Sequence, residues 1–323
     1  MNQQRPVVRQ AIPADHDREN VTVLVPHEFG VAALSQVDRV RTLYYRRDEI
    51  PPGADTARIL IPDFRPDPGA VALARRLPRL QLVQLLTSGA DRWIGQLPEG
   101  VLLSTARGAH GAGVAEWVLG ALIALYRDFP AFARSRQERR WDTHSTATLF
   151  GKRVLIVGAG DLAQALTGVL APFRAAVTTV ASTARPGVHA VDELAALLPH
   201  HDVVVLAVPL TDRTRALMDA RMLARMGDGA ILVNVSRGPV VDTDALVTEL
   251  VSHRLRAAID VTDPEPLPPK HPLWGAPGLF LTPHTAGTSS HSTTRAYEVA
   301  AAQIQRFLTG RVPENLIGEH TAG

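Results

Sequence analysis

The sequence contains no cysteine, and Lys152 and Lys270 are its only lysines. The lack of cysteine excludes disulfide bonds, thiolate metal sites and cysteine nucleophiles, and it agrees with a reducing cytosol. No uninterrupted apolar run reaches the ~18 residues that a membrane-spanning helix needs, and the first residues contain no apolar core of signal-peptide length. We therefore expect a cytoplasmic protein without a membrane partner.

The charge balance argues against a nucleic-acid partner. The chain has 34 Lys and Arg residues against 32 Asp and Glu residues, a formal net charge of +2. No basic run is long enough to follow a phosphate backbone. Hydrophobic residues make up 46% and charged residues 20% of the chain, which is ordinary for a globular enzyme. These values favour a protein whose partner is a small molecule.

Two domains are expected, because 323 residues exceed the ~250–300 at which a single hydrophobic core stops growing. Residues 1–20 are polar and interrupted by proline, so we expect a loose tail there. Short apolar segments at residues 21–26, 57–62 and 80–86 predict strands, and such continuous apolar runs are typical of parallel sheets covered on both faces. Residues 115–139 predict a long helix that is kinked or broken at Pro130.

A second block of alternating strands and helices begins at Lys152. Its six apolar strand segments are separated by helical patterns, as in a doubly wound sheet. Residues 289–308 predict an amphipathic helix, which we expect to pack on the first domain. The sequence thus predicts two doubly wound parallel α/β domains. A Rossmann-type nucleotide domain, residues 113–288, is inserted into a flavodoxin-like substrate domain, residues 21–112 and 289–323.

A glycine turn follows the first strand of this second block. It leads directly from the strand into a helix and consists of Gly158, Ala159, Gly160, Asp161 and Leu162. The glycines permit a tight turn and a close approach of pyrophosphate to backbone N–H groups at the positive end of the helix dipole. Ala163 stands where a third small residue allows helix and strand to pack. We predict that this turn binds a dinucleotide.

The end of the next strand carries no acidic side chain. NAD-binding domains usually place Asp or Glu about 20 residues after the glycine turn, where it accepts hydrogen bonds from the ribose hydroxyls. Ala181 occupies this position, and Ser182, Thr183 and Arg185 follow it. Hydroxyl groups and a guanidinium suit a 2′-phosphate. We predict NADP as the cofactor, with NAD still possible, although Arg185 could also be a solvated surface residue.

Three polar segments follow later strands, at residues 234–242, 260–266 and 282–287. The carboxyl ends of strands line the ligand crevice of a doubly wound sheet. Reduction of a 2-keto acid needs a cation for the carboxylate and carbonyl, a proton donor, and a group that keeps this donor charged. These needs correspond to Arg237, His284 and Glu265.

Each of these three residues also has an ordinary structural interpretation. Arg237 could cap a helix or pair with Asp242. Glu265, between two prolines, could belong to a surface turn, and His284 could be a loop residue without a chemical role. All three residue types stand at successive strand ends, which packing alone does not readily explain. We therefore favour the functional interpretation of the set.

With these motifs in this order and spacing, residues 21–316 resemble the D-isomer-specific 2-hydroxyacid dehydrogenase family. The resemblance implies that Arg237 binds the substrate, that Glu265 pairs with His284, and that His284 is the proton donor or acceptor. No metal site is predicted. The other predicted cofactor contacts are Val208, Pro209, Val235 and Asp260, and the resemblance implies that Asp260 lies near the nicotinamide carboxamide. It also implies that the backbone N–H groups of Ser88 and Gly89 bind the substrate carboxylate.

Two features narrow the predicted activity within this family. No large regulatory extension follows Leu316, which argues against a multidomain phosphoglycerate dehydrogenase. Glutamate at position 265, where the formate dehydrogenases of the family have glutamine, argues against formate. We predict hydride transfer between NADP(H) and a small 2-keto or 2-hydroxy acid, of the glyoxylate/hydroxypyruvate reductase type. The alternative is a dinucleotide-sensing binding protein, similar to a corepressor, without significant turnover.

Three further residues have predicted roles outside the chemistry. The resemblance implies a homodimer, in which the arm around Trp141 reaches a partner subunit. Trp141 could equally be a local hydrophobic anchor. Arg107 and His110, before the long helix, could face the cleft, but hinge and packing roles are favoured.

Overall fold

The computed structural model describes residues 20–46, 49–64 and 68–318. The expected tail at residues 1–20 therefore lies outside the described residues, apart from Asn20. The chain divides into two compact units, the first formed by residues 1–110 and 290–323 and the second by residues 111–289. The sequence predicts these boundaries at 112/113 and 288/289. The assignment of substrate binding to the first unit and of dinucleotide binding to the second stays a prediction.

The first unit contains a five-stranded sheet with the order β2-β1-β3-β4-β5. Each strand pairs parallel to its neighbour. This is the flavodoxin-like order, in which the chain reverses its direction of growth between β1 and β3. The strands are β1 Val21–Val25, β2 Val40–Tyr44, β3 Ala57–Leu60, β4 Leu82–Gln84 and β5 Leu102–Ser104.

Helices cover this sheet, and the last of them comes from the far end of the chain. They are α1 Glu28–Leu34, α2 Pro68–Arg76 and the C-terminal helix Ser292–Leu308. The C-terminal helix buries Ala296, Tyr297 and Ala300 in the same apolar cluster as β1. The expectation that this amphipathic helix packs on the first domain is confirmed, because its apolar face has its partners there.

The second unit contains a seven-stranded sheet with the order β12-β11-β10-β9-β6-β7-β8. All of its strand pairs are parallel. This is the Rossmann order, in which the direction of growth reverses between β6 and β9. The strands are β6 Arg153–Val157, β7 Ala176–Ala181, β8 His189–Ala190, β9 Val203–Leu206, β10 Ile231–Asn234, β11 Arg256–Ile259 and β12 Leu279–Leu281.

The helices of the second unit alternate with these strands. They are α3 Gly111–Tyr126, α4 Phe129–Gln137, α5 Asp161–Leu170, α6 Leu194–Leu197, α7 Ala220–Arg225 and α8 Thr243–Val251, and the C-terminal helix of the first unit is α9. The predicted long helix breaks rather than bends. Asp128 adopts a left-handed conformation, with φ of 51°, and Pro130 lies in the first turn of α4, where its missing N–H costs no hydrogen bond.

None of the helices in the described ranges combines the length and the apolar character that crossing a membrane requires.

Candidate active site

The turn between β6 and α5 has a backbone that fits a dinucleotide. Gly158 has φ of 124°, and a Cβ there would overlap the backbone carbonyl of Ala207, directly after β9. Gly160 caps the ten-residue helix α5, and a Cβ there would meet no atom within 4 Å. No side chain caps the first N–H groups of this helix. The turn therefore offers backbone donors and the positive end of a helix dipole to an anion.

Two neighbours of the glycines adapt the start of α5 to the sheet. Ala163 is 4% exposed and lies in the apolar cluster between the helix and β6, so a small residue does pack at this position. Leu162 packs at the edge of the same cluster, while Asp161 begins the helix.

The loop after β7 brings a guanidinium to the glycine turn. Arg185 Nη2 donates to the carbonyl oxygen of Ala159 at 3.1 Å. Its backbone is fixed by a pair of hydrogen bonds with Val188, of 3.0 and 2.8 Å. Ser182 and Thr183 are exposed on the same loop. In NAD-binding domains a carboxylate at this position accepts hydrogen bonds from the ribose hydroxyls. This segment carries hydroxyls and a positive charge instead, so its chemistry fits a phosphate-bearing dinucleotide.

The other predicted cofactor contacts follow neighbouring strands of the same sheet. Val208 and Pro209 come after β9, and Val235 comes directly after β10. Val208 and Val235 are half-buried against the two cores that flank the sheet. The carbonyl oxygen of Pro209 accepts from Thr214 Oγ1 at 2.6 Å, which holds the loop after β9. All three residues lie at the carboxyl edge that carries the glycine turn.

Asn234 organises the loop that carries Arg237. Its buried side-chain oxygen accepts from the Ser236 N–H at 3.1 Å and from the Ser236 hydroxyl at 2.7 Å. Its amide donates to the carbonyl oxygen of Arg237 at 3.0 Å. The Arg237 guanidinium is half-buried, and its Nη1 donates to the carbonyl oxygen of Ser236 at 2.7 Å. Asp242 caps α8 by accepting from the Ala245 N–H at 3.0 Å, so its carboxylate has a structural role.

The predicted acid and its carboxylate partner are in contact. His284 Nδ1 lies 2.7 Å from Glu265 Oε1, and the two side chains are 47% and 38% exposed. Glu265 follows β11 and His284 follows β12, and these strands are parallel neighbours. Because an ionised carboxylate only accepts, the proton between them belongs to Nδ1. Nε2 is then the ring nitrogen that does not contact Glu265.

Asp260 holds the loop that positions His284. It is only 3% exposed, and its carboxylate accepts from the Thr285 N–H and the Ala286 N–H, both at 2.8 Å, and from the Thr282 hydroxyl. Its carbonyl oxygen accepts from the His284 N–H at 2.7 Å. This role was missed by the sequence analysis. A buried aspartate after a strand, with hydroxyl-bearing residues after the next strand, is the signal that could have indicated it.

In the first unit, the predicted carboxylate-binding loop follows β4. The Thr87 hydroxyl donates to the carbonyl oxygen of Gly89 at 3.0 Å, and the Ser88 hydroxyl lies 3.5 Å from the carbonyl oxygen of Ala106. His110 Nε2 donates to the carbonyl oxygen of Leu86 at 2.7 Å. His110 thus supports the start of this loop, as a packing role requires.

The structure also describes Arg107 and Trp141, for which the sequence left two interpretations open. Arg107 Nη2 donates to the carbonyl oxygen of Glu314 at 2.9 Å, which ties the segment before α3 to the end of the chain within the first unit. Trp141 is 95% exposed, so the interpretation as a local hydrophobic anchor is wrong. Across the described residues, no group of three or more His, Cys, Asp and Glu side chains could hold a metal ion.

The Rossmann-order sheet, its glycine turn and the charged residues at its carboxyl edge define an α/β oxidoreductase with a nicotinamide dinucleotide site. Residues 119–286 match the sequence profile described as "D-isomer specific 2-hydroxyacid dehydrogenase, NAD binding domain", and the chain belongs to that family. It is an NAD(P)-dependent dehydrogenase. The resemblance inferred from the sequence is therefore confirmed, as is the fold class.

Several known proteins are similar to the chain. It is 30% identical to a glyoxylate reductase of Thermofilum pendens over 75% of this chain and 76% of the relative. It is 29% identical to a glyoxylate reductase of Korarchaeum cryptofilum over 92% and 96% of the two chains. A D-isomer specific 2-hydroxyacid dehydrogenase from Xanthobacter autotrophicus Py2, solved in complex with NADPH and MES, superposes with a TM-score of 0.81 at 28% identity and covers 94% of this chain and 100% of its own.

Proposed function

We propose that the chain reduces a small 2-keto acid to the 2-hydroxy acid with NADPH, as a glyoxylate/hydroxypyruvate-type reductase. The observation that carries this proposal is the 2.7 Å contact between His284 and Glu265 at the carboxyl edge of the dinucleotide sheet. The names of the similar glyoxylate reductases support the substrate class.

The roles of the side chains follow from charge and position. A bound nicotinamide dinucleotide supplies the hydride. His284, as an imidazolium, gives the proton on Nε2 to the substrate carbonyl oxygen, and Glu265 stabilises the positive ring through Nδ1. Arg237 binds the substrate carboxylate and stabilises the negative charge that develops on the carbonyl oxygen.

The choice of NADPH rests on the loop after β7. Its guanidinium is anchored on the glycine turn through the contact of Arg185 with the Ala159 carbonyl. Ser182 and Thr183 add hydroxyl donors, and Ala181 leaves the strand end without a carboxylate that would repel a 2′-phosphate. The solved relative from Xanthobacter autotrophicus, which binds NADPH, supports this choice.

The proposal includes a cytoplasmic homodimer. Trp141 is 95% exposed, and Phe129 and Phe150, on either side of it in the sequence, are 52% and 56% exposed. Several large apolar side chains exposed along one stretch of chain favour a protein partner, and a second copy of the chain is the proposed one. Light scattering coupled to size-exclusion chromatography measures the mass directly. Monomer at micromolar concentration would contradict the dimer.

Steady-state assays of the purified protein test the activity. Glyoxylate, hydroxypyruvate, pyruvate and bulkier 2-keto acids are each supplied with NADPH and with NADH. We expect turnover with a small 2-keto acid and a higher kcat/KM for NADPH. Dinucleotide binding without turnover of any 2-keto acid would instead support the corepressor-like binding protein.

A further inference from the structure

The loop that carries Glu265 has few restraints of its own. Across the described part of the chain, no backbone group of residues 262–267 hydrogen-bonds to another backbone group. Pro264 and Pro266 cannot donate, because proline has no N–H. Residues 263–266 are all exposed, so packing restrains them little. The position of the Glu265 carboxylate therefore depends on the side chains that bond to this loop.

Thr262 shapes the loop from within. Its hydroxyl donates to the carbonyl oxygen of Pro264 at 2.8 Å, and the residue is only 9% exposed. The bond joins two residues of the same loop. It therefore sets the local shape of the loop but does not tie the loop to another element.

Thr243 supplies a hydrogen bond from another element. It is the first residue of α8, and its hydroxyl donates to the carbonyl oxygen of Asp263 at 3.1 Å. This end of the helix is itself held, because the side chain of Asp242 caps it and Leu246 is buried in the apolar core. Thr243 thus connects the Glu265 loop to a fixed helix end.

Helix capping does not explain the Thr243 hydroxyl, because Asp242 is the N-cap residue of α8. We infer that Thr243 is a positioning residue, which holds the Asp263 carbonyl and thereby keeps the Glu265 carboxylate against His284 Nδ1. The effect of Thr243 on catalysis rests on the proposed reductase function. Its effect on the His284 ring does not.

The proton of His284 reports on this positioning. With Glu265 in contact, a neutral ring carries its proton on Nδ1, since a carboxylate only accepts. The hydrogen bond made by one ring nitrogen decides which nitrogen is protonated. A loop that moves away removes the reason for the Nδ1–H tautomer, and the Nε2–H tautomer then gains population.

The test removes the hydroxyl of Thr243 and keeps its shape. Thr243→Val should lower kcat by roughly 2- to 10-fold, the range of one net hydrogen bond, and should leave KM for the keto acid near wild type. Thr243→Ser restores a hydroxyl and should restore kcat. Thr248→Val is the control, because the exposed Thr248 lies on the same helix and its hydroxyl donates to the Asp244 carbonyl at 3.0 Å.

A double-mutant cycle tests whether Thr243 acts through Glu265. In a Glu265→Gln background, Thr243→Val should change kcat by less than about twofold, because the carboxylate that it positions is already gone. Thermal denaturation of every variant identifies a loss of folding. If Thr243→Val does not fold, Thr243→Ala removes the same hydroxyl and takes its place in the cycle.

Long-range 1H–15N correlation spectra of the imidazole nitrogens measure the tautomer directly, at a pH where the ring is neutral. The signal that is lost in His284→Ala identifies His284. We expect the Nδ1–H tautomer in wild type, in Thr243→Ser and in Thr248→Val, and a larger Nε2–H population in Thr243→Val.

The outcomes separate this inference from the function on which it rests. A wild-type tautomer and kcat in Thr243→Val would overturn the inference and leave the reductase function standing. So would an equal loss of kcat with and without the Glu265 carboxylate, or a Thr243→Ser protein as impaired as Thr243→Val. If the tautomer shifts as expected but the wild type reduces no 2-keto acid, the positioning role stands and the proposed function fails.

Discussion

His284 Nδ1 and Glu265 Oε1 lie 2.7 Å apart, although the two residues follow different strands, β12 and β11. The parallel pairing of these strands brings their carboxyl ends together. The contact turns Nδ1 towards the carboxylate and leaves Nε2 for the proton transfer that we propose. A general acid must be held in position, and this hydrogen bond holds the ring.

Substitution of His284 tests this assignment. His284→Ala should lower the rate of keto-acid reduction by roughly 10²–10⁴, the usual contribution of a positioned acid. Dinucleotide affinity, measured by fluorescence titration, should stay close to wild type, since the glycine turn is on other strands. Wild-type turnover in the His284→Ala protein would remove the residue from the mechanism.

Glu265→Gln provides a matched comparison for the same prediction. The amide keeps the size of the side chain but loses the negative charge that stabilises the imidazolium. We expect kcat to fall in the purified variant, but by less than in His284→Ala. An unchanged kcat would mean that Glu265 only packs against His284.

Substitution of Arg237 should affect binding and chemistry together. Arg237→Ala should raise KM and lower kcat, because the proposed contact holds the ground-state carboxylate and strengthens as the carbonyl oxygen gains charge. Arg225→Ala, an exposed arginine in the last turn of α7, is the control and should leave both constants unchanged. A change confined to kcat would show that Arg237 does not bind the ground-state substrate.

The sequence predicts the second unit better than the first, for physical reasons. The glycine turn at Gly158 and Gly160 has a local signal, because a buried strand, a tight turn and a helix start are contiguous in the chain. β2 and β5 were not predicted, since both are edge strands and Val40–Tyr44 is only half-buried, with weak apolar patterning. β8 is two residues long and pairs only with the end of β7.

The contacts that were missed join residues far apart in the chain. His27 and Tyr297 are 270 positions apart, and their contact exists only because α9 returns to the first sheet. Asp260 and Ala286 are separated by 26 positions, and their hydrogen bond depends on the pairing of β11 with β12. The sequence shows that such side chains can form hydrogen bonds. Which of them come into contact depends on the pairing of the strands and the packing of the helices, which the sequence does not show directly.

Gly238 provides a test of the packing beneath the Arg237 loop. A Cβ at this position would overlap the backbone carbonyl of Thr262, and rotation of a side chain cannot relieve a backbone contact. Gly238→Ala should lower the free energy of unfolding by about 1–3 kcal/mol, as overpacking does in other cores. Gly227→Ala is the control, because its nearest contact, the Pro199 carbonyl oxygen, is at an ordinary 3.7 Å. Equal melting temperatures for the two variants, measured by circular dichroism, would contradict the predicted overlap.

The last prediction concerns cofactor choice, which depends on Arg185 and Ala181. Arg185→Ala should lower kcat/KM for NADPH by about 10- to 150-fold, the range of a charge-assisted hydrogen bond, and should change NADH little. Ala181→Asp should favour NADH, because the new carboxylate accepts from the ribose hydroxyls and repels the 2′-phosphate. Both cofactors are assayed at one fixed salt concentration, since salt screens phosphate contacts, with Arg225→Ala as the control. A wild-type preference for NADH would refute the NADP assignment but not the dehydrogenase activity. Equal losses with both cofactors in Arg185→Ala would mean that Arg185 supports the glycine turn through Ala159 and does not bind the phosphate.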